Sequence, residues 1–392
     1  LAASPNAGWP EDIEGDRVLY PAGPYYFRQY VAAYEKLGVN LIGGCCGTSP
    51  EHIRHMRSAL DQPIQEEVAL PEFSTSAVEE RVERSSERPT KLAQALTGEE
   101  FIKLAEMTPP RGVGLQKMCT AAQSLVDAGA NYLLINDLPQ ARMRMSAWGA
   151  GFQIQQQVGT EVILQMPTRG RSLVRLQADL LAIHALGLRN IVVILGDRNR
   201  DREPTTAENT YDLMPDGLIK LIRDQLNTGQ VVNDQALEQP TNFTVGCSIN
   251  ITPANLQREA RLLHEFSSNG ADFALTKPVY DFEAAANFIE HYTERFGPPP
   301  PIIATVHPLY NASMVDYLHN EIPGVFIPDR VQQMMRTSPF PQDTGIQLAQ
   351  DLMYQLQDLV RGVCLTPYQN RYDLISDVLM EAGDNLFEDE LE

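Results

Sequence analysis

Three stretches of this sequence place reactive residue types where they can act together. Cys45 and Cys46 are adjacent, inside Gly43-Gly44-Cys45-Cys46-Gly47-Thr48. Glycines on both sides let the backbone fold so that both sulfurs converge, and converging thiolates are zinc ligands when a third protein ligand and an open position complete the site. Taken alone, a Cys-Cys pair also reads as two small packing residues. Glu106 is followed by Met107-Thr108-Pro109-Pro110. It stands at the end of an apolar run beside Leu104, Met107 and the two prolines, where a lone carboxylate is more often a hydrogen-bonded loop residue than a catalyst. Asp197 follows Gly196 at the end of Ile191-Val192-Val193-Ile194-Leu195, a carboxylate just past a buried strand beside a glycine that lets a ligand approach the backbone.

Residues this far apart must be brought together by the elements that carry them. Apolar runs without alternation at 101–107, 132–137, 162–167, 191–197, 243–249, 273–279, 302–306 and 363–367 predict strands buried on both faces. Helical periodicity lies between them, at 115–128, 172–187, 253–268 and 282–296 among others. Alternating strands and helices in this number predict a (β/α)8 TIM barrel, with a doubly wound open sheet as the fallback. The strand ends then present Glu106, Asn136, Asp137, Gln165, Asp197, Ser248, Lys277, His307 and Thr366 as a polar ring at the carboxyl face. Two connections are long, 198–242 and 307–362, and the first is polar and lid-like in composition.

The ends of the chain differ from this middle. Residues 1–60 hold an amphipathic helix at 25–37, a short apolar strand at 39–42 and a helix begun by Ser49-Pro50. Such a unit cannot bury its own core, and the chain opens in mid-domain text, so a missing upstream part is expected. Residues 61–95 are rich in Ser, Glu and Arg and read as a solvated linker, 96–385 as the barrel, and 386–392 as an acidic tail.

Composition narrows the function. A formal charge of −20 over 392 residues argues against nonspecific binding to nucleic acid or anionic membrane. No apolar run has the length of a membrane span and no signal peptide is visible. Five unevenly spaced cysteines do not form a disulfide framework, and a reducing cytoplasm is expected. Gly112-Val113-Gly114 lacks the third glycine of a dinucleotide fingerprint and reads as a turn. Cys119, Cys247 and Cys364 read as packing residues, Met107, Met118, Met143 and Met145 as core or pocket filler, and His184 and His264 as structural.

The string Gly-Gly-Cys-Cys-Gly-Thr-x-Pro-Glu-His-Ile at 43–53, with Pro5-Asn6-Ala7-Gly8-Trp9-Pro10 upstream, resembles the carboxyl-terminal part of the homocysteine S-methyltransferase family. That family is a zinc-dependent (β/α)8 barrel. The resemblance implies that Cys45 and Cys46 are two of three zinc thiolates, that the third lies outside this chain, and that homocysteine sulfur takes the open position.

Glu106-Met107-Thr108-Pro109-Pro110-Arg111 resembles the Glu-x-x-Pro-Pro signature of methylenetetrahydrofolate reductases. Leu195-Gly196-Asp197, the run from Gly270 to Thr276, and Arg371-Tyr372-Asp373 are similar to that family too, over about residues 97–385. The resemblance implies an FAD enzyme that passes hydride from NADH or NADPH to methylenetetrahydrofolate. Glu106 would then be the acid of folate ring opening, with Asp197 and Gly196 at the flavin's pyrimidine end and Asn136, Gln165 and Ser248 near the flavin. Lys277, where the family has Gln, would face the folate, and an ammonium close to Glu106 would lower its pKa, unless Lys277 swings away to pair with Asp281 or a cofactor phosphate. Leu318 matches an apolar folate contact of the family, with core packing as the other reading. Phe266 stands where a phosphate-binding Lys is expected, with Arg169, Arg258 or Arg261 as substitutes. A fusion of the two enzymes, acting as a homo-oligomer on folate and homocysteine, is the leading expectation. The alternative is a catalytically weak folate-binding barrel that supports the methyltransferase half.

Overall fold

The computed structural model describes residues 1–8, 11–13, 17–61, 89–137, 143–197, 211–230, 237, 239–322 and 324–384, and it divides into two units, Leu1–Arg81 and Val82–Glu392. In the first unit β1 (Ala2–Ala3) pairs in parallel with β4 (Leu41–Ile42), and β2 (Glu11–Ile13) pairs antiparallel with β3 (Arg17–Leu19). Helix Pro24–Lys36 starts with a proline in its first turn, where no intrahelical donor is lost. It packs on helix Pro50–Asp61 around Phe27, Val31, Met56 and Ala59. The strand expected to be buried is only partly so. Leu41 is 69% exposed, because among the described residues its sheet has two strands and no layer covers that face.

In the second unit eight parallel strands close into a barrel. They are β5 (Ile102–Met107), β6 (Tyr132–Ile135), β7 (Val162–Pro167), β8 (Asn190–Ile194), β9 (Thr244–Ile249), β10 (Phe273–Pro278), β11 (Ile302–Val306) and β12 (Gly362–Leu365), with β12 hydrogen-bonded to β5. This is the TIM barrel expected from the alternation of apolar runs and helices. Side chains alternate across each strand. Leu104, Leu134, Ile163, Val192, Phe273, Leu275, Ile303 and Cys364 fill the interior. Their neighbours Ala105, Leu133, Leu164, Val193, Ala304 and Val363 face outward, against helices such as Gln116–Asp127 and Phe282–Phe296. Each fully buried aliphatic side chain contributes roughly 1.5–3 kcal/mol of hydrophobic stabilisation.

The barrel floor begins earlier in sequence than composition suggested. Helix Lys91–Thr97 overlaps the end of the expected linker, yet Leu92 and Leu96 are buried in the same cluster as the barrel interior. Its start is capped by Thr90, whose hydroxyl accepts from the Ala93 amide at 3.0 Å. The 307–362 connection is not a loop: it folds as helices Ala312–Glu321, Asp329–Thr337 and Pro341–Leu356. Helix Pro215–Asp224 lies within the 198–242 connection, whose residues 198–210, 231–236 and 238 are outside the described residues, as are most of the linker and the acidic tail. Met143 is 76% exposed and so fills no core, whereas Met107 and Met118 are buried. Cys119, Cys247 and Cys364 are buried as packing residues.

Candidate active site

The inward series of β5, Ile102 and Leu104, continues to Glu106, and that of β6, Tyr132 and Leu134, continues to Asn136. Strand register sets Glu106 opposite Leu134, so Asn136 stands one inward position further along. Its Nδ2 donates to Glu106 Oε1 at 2.8 Å and to Thr108 Oγ1 at 2.9 Å. From the far side of the β12–β5 seam, Thr366 Oγ1 donates to Glu106 Oε2 at 3.3 Å. Burial pushes the Glu106 carboxyl above the ordinary carboxylate range. The hydrogen bonds from Asn136 and Thr366 pull it partway back, and the charge of Asp197 adds to the rise. A carboxyl whose pKa is raised by burial thus stands at the barrel mouth.

A second layer supports this carboxyl. The Thr108 amide donates to the Tyr372 hydroxyl at 3.2 Å, and that hydroxyl donates to Asn370 Oδ1 at 3.3 Å. Gln369 and Asn370 both adopt positive φ, 48° and 63°, an uncommon conformation for residues other than glycine. Thr108 and Tyr372 stood in the quoted motifs without a role, and Asn370 was not singled out from sequence. Thr108 and Tyr372 are 264 positions apart, and only barrel closure makes them neighbours.

Three members of the expected ring behave differently from the strand-end count. Asp137 has the outward parity of Leu133 and Ile135 and leaves the mouth. It accepts from the Ala147 amide at 3.3 Å and pairs with Arg171, which also reaches Asp179 at 3.2 Å. Burial raises the Asp137 pKa and the Arg171 charge opposes the rise. Lys277 should point inward after Phe273 and Leu275. Instead the β10–β11 register slips by one residue between Leu275 and Pro278, and this bulge leaves Lys277 exposed. Its Nζ leans toward Gly324, 3.4 Å from where a Cβ would stand on that glycine. The charge acting on Glu106 is therefore that of Asp197, not the Lys277 ammonium considered from sequence. His307 ends β11 with Nε2 buried and without a hydrogen-bond partner among the described residues, and burial lowers its pKa to about 4.

Asp197 is exposed beyond β8, and the turn before it is held from β7. Thr168 and Arg169 amides donate to the Ile194 and Leu195 carbonyls, both at 3.0 Å, and Arg169 Nε donates to the Gly196 carbonyl at 3.1 Å. Gly196 has φ +90°, and a Cβ there would stand 2.8 Å from Pro167 Cβ, so the position requires glycine. Gln165 and Ser248 are half-buried near the ends of β7 and β9. Leu318 is 6% exposed, packed among Leu309, Met314, Val315 and Ile327. Phe266 is buried near the carboxyl end of helix Leu256–Ser268. Barrel helices run back from the mouth, so that position cannot carry a phosphate-binding group, whereas Arg258 stands at the mouth-side start of the same helix.

In the first unit, Cys45 and Cys46 are exposed and their sulfurs are 3.8 Å apart. Cys45 N donates to the Pro5 carbonyl at 2.9 Å and Cys46 N to Asn6 Oδ1 at 3.2 Å. Among the described residues no group of three or more His, Cys, Asp or Glu could hold a metal ion.

Residues 91–382 match the family described as methylenetetrahydrofolate reductase. The chain belongs to that family. Residues 1–60 match a second family, homocysteine S-methyltransferase. Together the two matches assign the chain, at the level of families, to one-carbon metabolism and methionine synthesis. A methionine synthase of Mycobacterium leprae (strain TN) is 36% identical over 61 residues, 15% of this chain, and the match covers 5% of that relative's length. Among solved structures, a tryptophan synthase of Mycobacterium tuberculosis matches at 10% identity and TM-score 0.41, covering 76% of this chain and 98% of that one. A putative lyase/mutase of Burkholderia cenocepacia J2315 matches at 13% identity and TM-score 0.39, covering 76% and 83%. Likeness at these scores carries no argument about the reductase-family barrel. No described helix is long and apolar enough to cross a membrane.

Proposed function

We propose that the barrel reduces 5,10-methylenetetrahydrofolate to 5-methyltetrahydrofolate, with Glu106 as general acid. The observation that carries this reading is the Glu106 carboxyl itself, recessed at the mouth with its pKa raised by burial and by the nearby charge of Asp197. Opening the folate's five-membered ring requires a proton on the departing nitrogen, and a carboxyl whose pKa is raised is suited to supply it. Asp197, on a turn clamped by Arg169, would orient the polar edge of the ligand, and its charge adds to the rise of the Glu106 pKa.

A bound flavin would supply the hydride transfer from NADH or NADPH to the folate. The fit is supported by two buried oxygens without hydrogen-bond partners, Asn136 Oδ1 and Thr168 Oγ1, which suit a ligand with a polar edge, and by the Gly196 turn. Asn136, Gln165, Gly196, Asp197 and Ser248 would line the isoalloxazine, and Arg169 and Arg258 would meet the phosphates. Leu318 packs in a core cluster with Leu309 and Ile327, and Lys277 leans toward Gly324, so neither is assigned to the folate.

For the first unit we propose that Cys45 and Cys46 are two of the three zinc thiolates of a homocysteine methyltransferase site, and that these two alone would hold the metal poorly. Two sulfurs each about 2.3 Å from a tetrahedral zinc lie about 3.8 Å apart, and the observed separation is 3.8 Å. The reductase reading is tested on purified protein by its visible absorption spectrum and by nicotinamide oxidation with and without methylenetetrahydrofolate. Bound flavin with folate-dependent turnover supports it. Folate binding without a flavin spectrum or turnover would favour the non-catalytic barrel instead.

A further inference from the structure

We infer that Thr366 is a positioning residue of this site: its hydroxyl holds the acid proton of Glu106 on Oε2 and turns to donate to the carboxylate once that proton has left. The inference rests on the general-acid reading of Glu106 and names the atom from which the proton departs.

Asn136 fixes which oxygen of Glu106 carries the proton. Its amide nitrogen only donates, and it points at Glu106 Oε1 at 2.8 Å and Thr108 Oγ1 at 2.9 Å. A carboxyl oxygen that accepts from an amide is the carbonyl oxygen of the acid, so the hydrogen sits on the other oxygen, Oε2. Oε2 lies 3.3 Å from Thr366 Oγ1, whose hydrogen points to it when the group is a carboxylate. A hydroxyl both accepts and donates, so this one can accept from the acid and donate to the carboxylate.

The other groups facing Glu106 cannot take this part. Asp197 contributes a like charge from beyond β8. Cys364, beneath Glu106 on β12, is kept a neutral thiol by burial. The Tyr372 hydroxyl is engaged with the Thr108 amide and Asn370 Oδ1. Thr366 is also held independently of its side chain, since its amide donates to the Val306 carbonyl at 3.0 Å. Removing the hydroxyl therefore leaves the strand end in place.

The step balances simply. The Oε2–H bond breaks, the substrate nitrogen's lone pair forms the new N–H bond, and Glu106 is left as a carboxylate. The Thr366 hydroxyl then rotates its hydrogen onto Oε2, so that both oxygens have a donor.

The test reads Glu106 directly, in the full chain without folate. Carboxyl carbon-13 NMR of glutamate-labelled protein is titrated with pH, with Glu106→Gln identifying the signal. Thr366→Val, which keeps the shape and loses the hydroxyl, is expected to titrate about one pH unit higher, because the bond lost to the carboxylate is stronger than the bond lost from the acid. Thr366→Ser is expected to titrate with the parent. Thr366→Ala repeats the hydroxyl deletion should the valine variant fold poorly. A hydroxyl deletion that titrates with the parent, or a serine variant displaced as far as valine, would overturn the inference. Because no turnover is measured, absence of folate reduction beside an intact titration shift would count against the proposed function and not against Thr366.

Discussion

Asn136 reaches back along the barrel wall to Glu106, its Nδ2 donating at 2.8 Å to the Oε1 of a residue whose registered partner is Leu134, two positions earlier. That diagonal contact is what turns a buried carboxyl into a held one. Glu106→Gln keeps the shape but has no proton to give. Folate reduction is expected to fall by about 10²–10⁴, while nicotinamide oxidation with an artificial acceptor persists, measured in parallel assays. The same variant changes stability with a definite sign. Because the folded pKa of Glu106 is raised above the ordinary 4.5, the folded state binds more protons, and its stability falls as pH rises through that range. The Gln variant should therefore melt above the parent at neutral pH, and the two melting curves should converge in acid.

Lys277→Gln tests whether the bulge in β10 takes the ammonium out of the reaction. With Lys277 turned toward Gly324, the pH–rate profile of the variant is expected to superimpose on the parent's. A profile displaced upward by the substitution would show that Lys277 swings back toward Glu106.

Arg171 holds two buried carboxylates, Asp137 and Asp179. Arg171→Met leaves both without their shared cation, and a loss of about 3–5 kcal/mol is expected in denaturant unfolding. The Asp137 pKa, already raised by burial, should rise further in the variant. The loss is then largest near neutrality and shrinks as pH falls. A pH-independent loss would point to packing of the Arg171 side chain instead.

His307 is neutral in the folded protein down to about pH 4, whereas the unfolded chain takes up its proton below 6.5. Between those values the unfolded state binds more protons, so stability drops on acidification, by up to about 3 kcal/mol at about 1.4 kcal/mol per unit. His307→Asn is expected to flatten that part of the stability curve, which chemical unfolding at a series of pH values would reveal.

Gly345 lies inside helix Pro341–Leu356, where alanine is ordinarily better by about 1 kcal/mol. Here a Cβ would stand 1.8 Å from the Leu309 carbonyl oxygen. Gly345→Ala should therefore destabilise, by about 1–3 kcal/mol. Gly149→Ala, in helix Ala147–Val158 with only Met145 Cγ near its Cβ at 3.8 Å, serves as the control that should not.

Local pattern determined much of this protein. Unbroken apolar runs at the eight strand positions can be buried only between helices on one side and a packed interior on the other, and each became a barrel strand. Glu106 and Asp197 were legible for the same reason, as carboxylates at the ends of such runs. Tertiary structure decided what a run cannot encode. Two adjacent residues, Asn136 and Asp137, went to opposite faces because alternation was already set by Leu134 and Leu133. One extra residue in β10, visible only against β11, carried Lys277 out of the series that Phe273 and Leu275 began. Thr108 met Tyr372, and Glu106 met Thr366, only because β12 closes on β5. Periodicity is a property of neighbours along the chain, whereas the hydrogen bonds that hold the Glu106 carboxyl depend on register and closure between strands far apart in sequence.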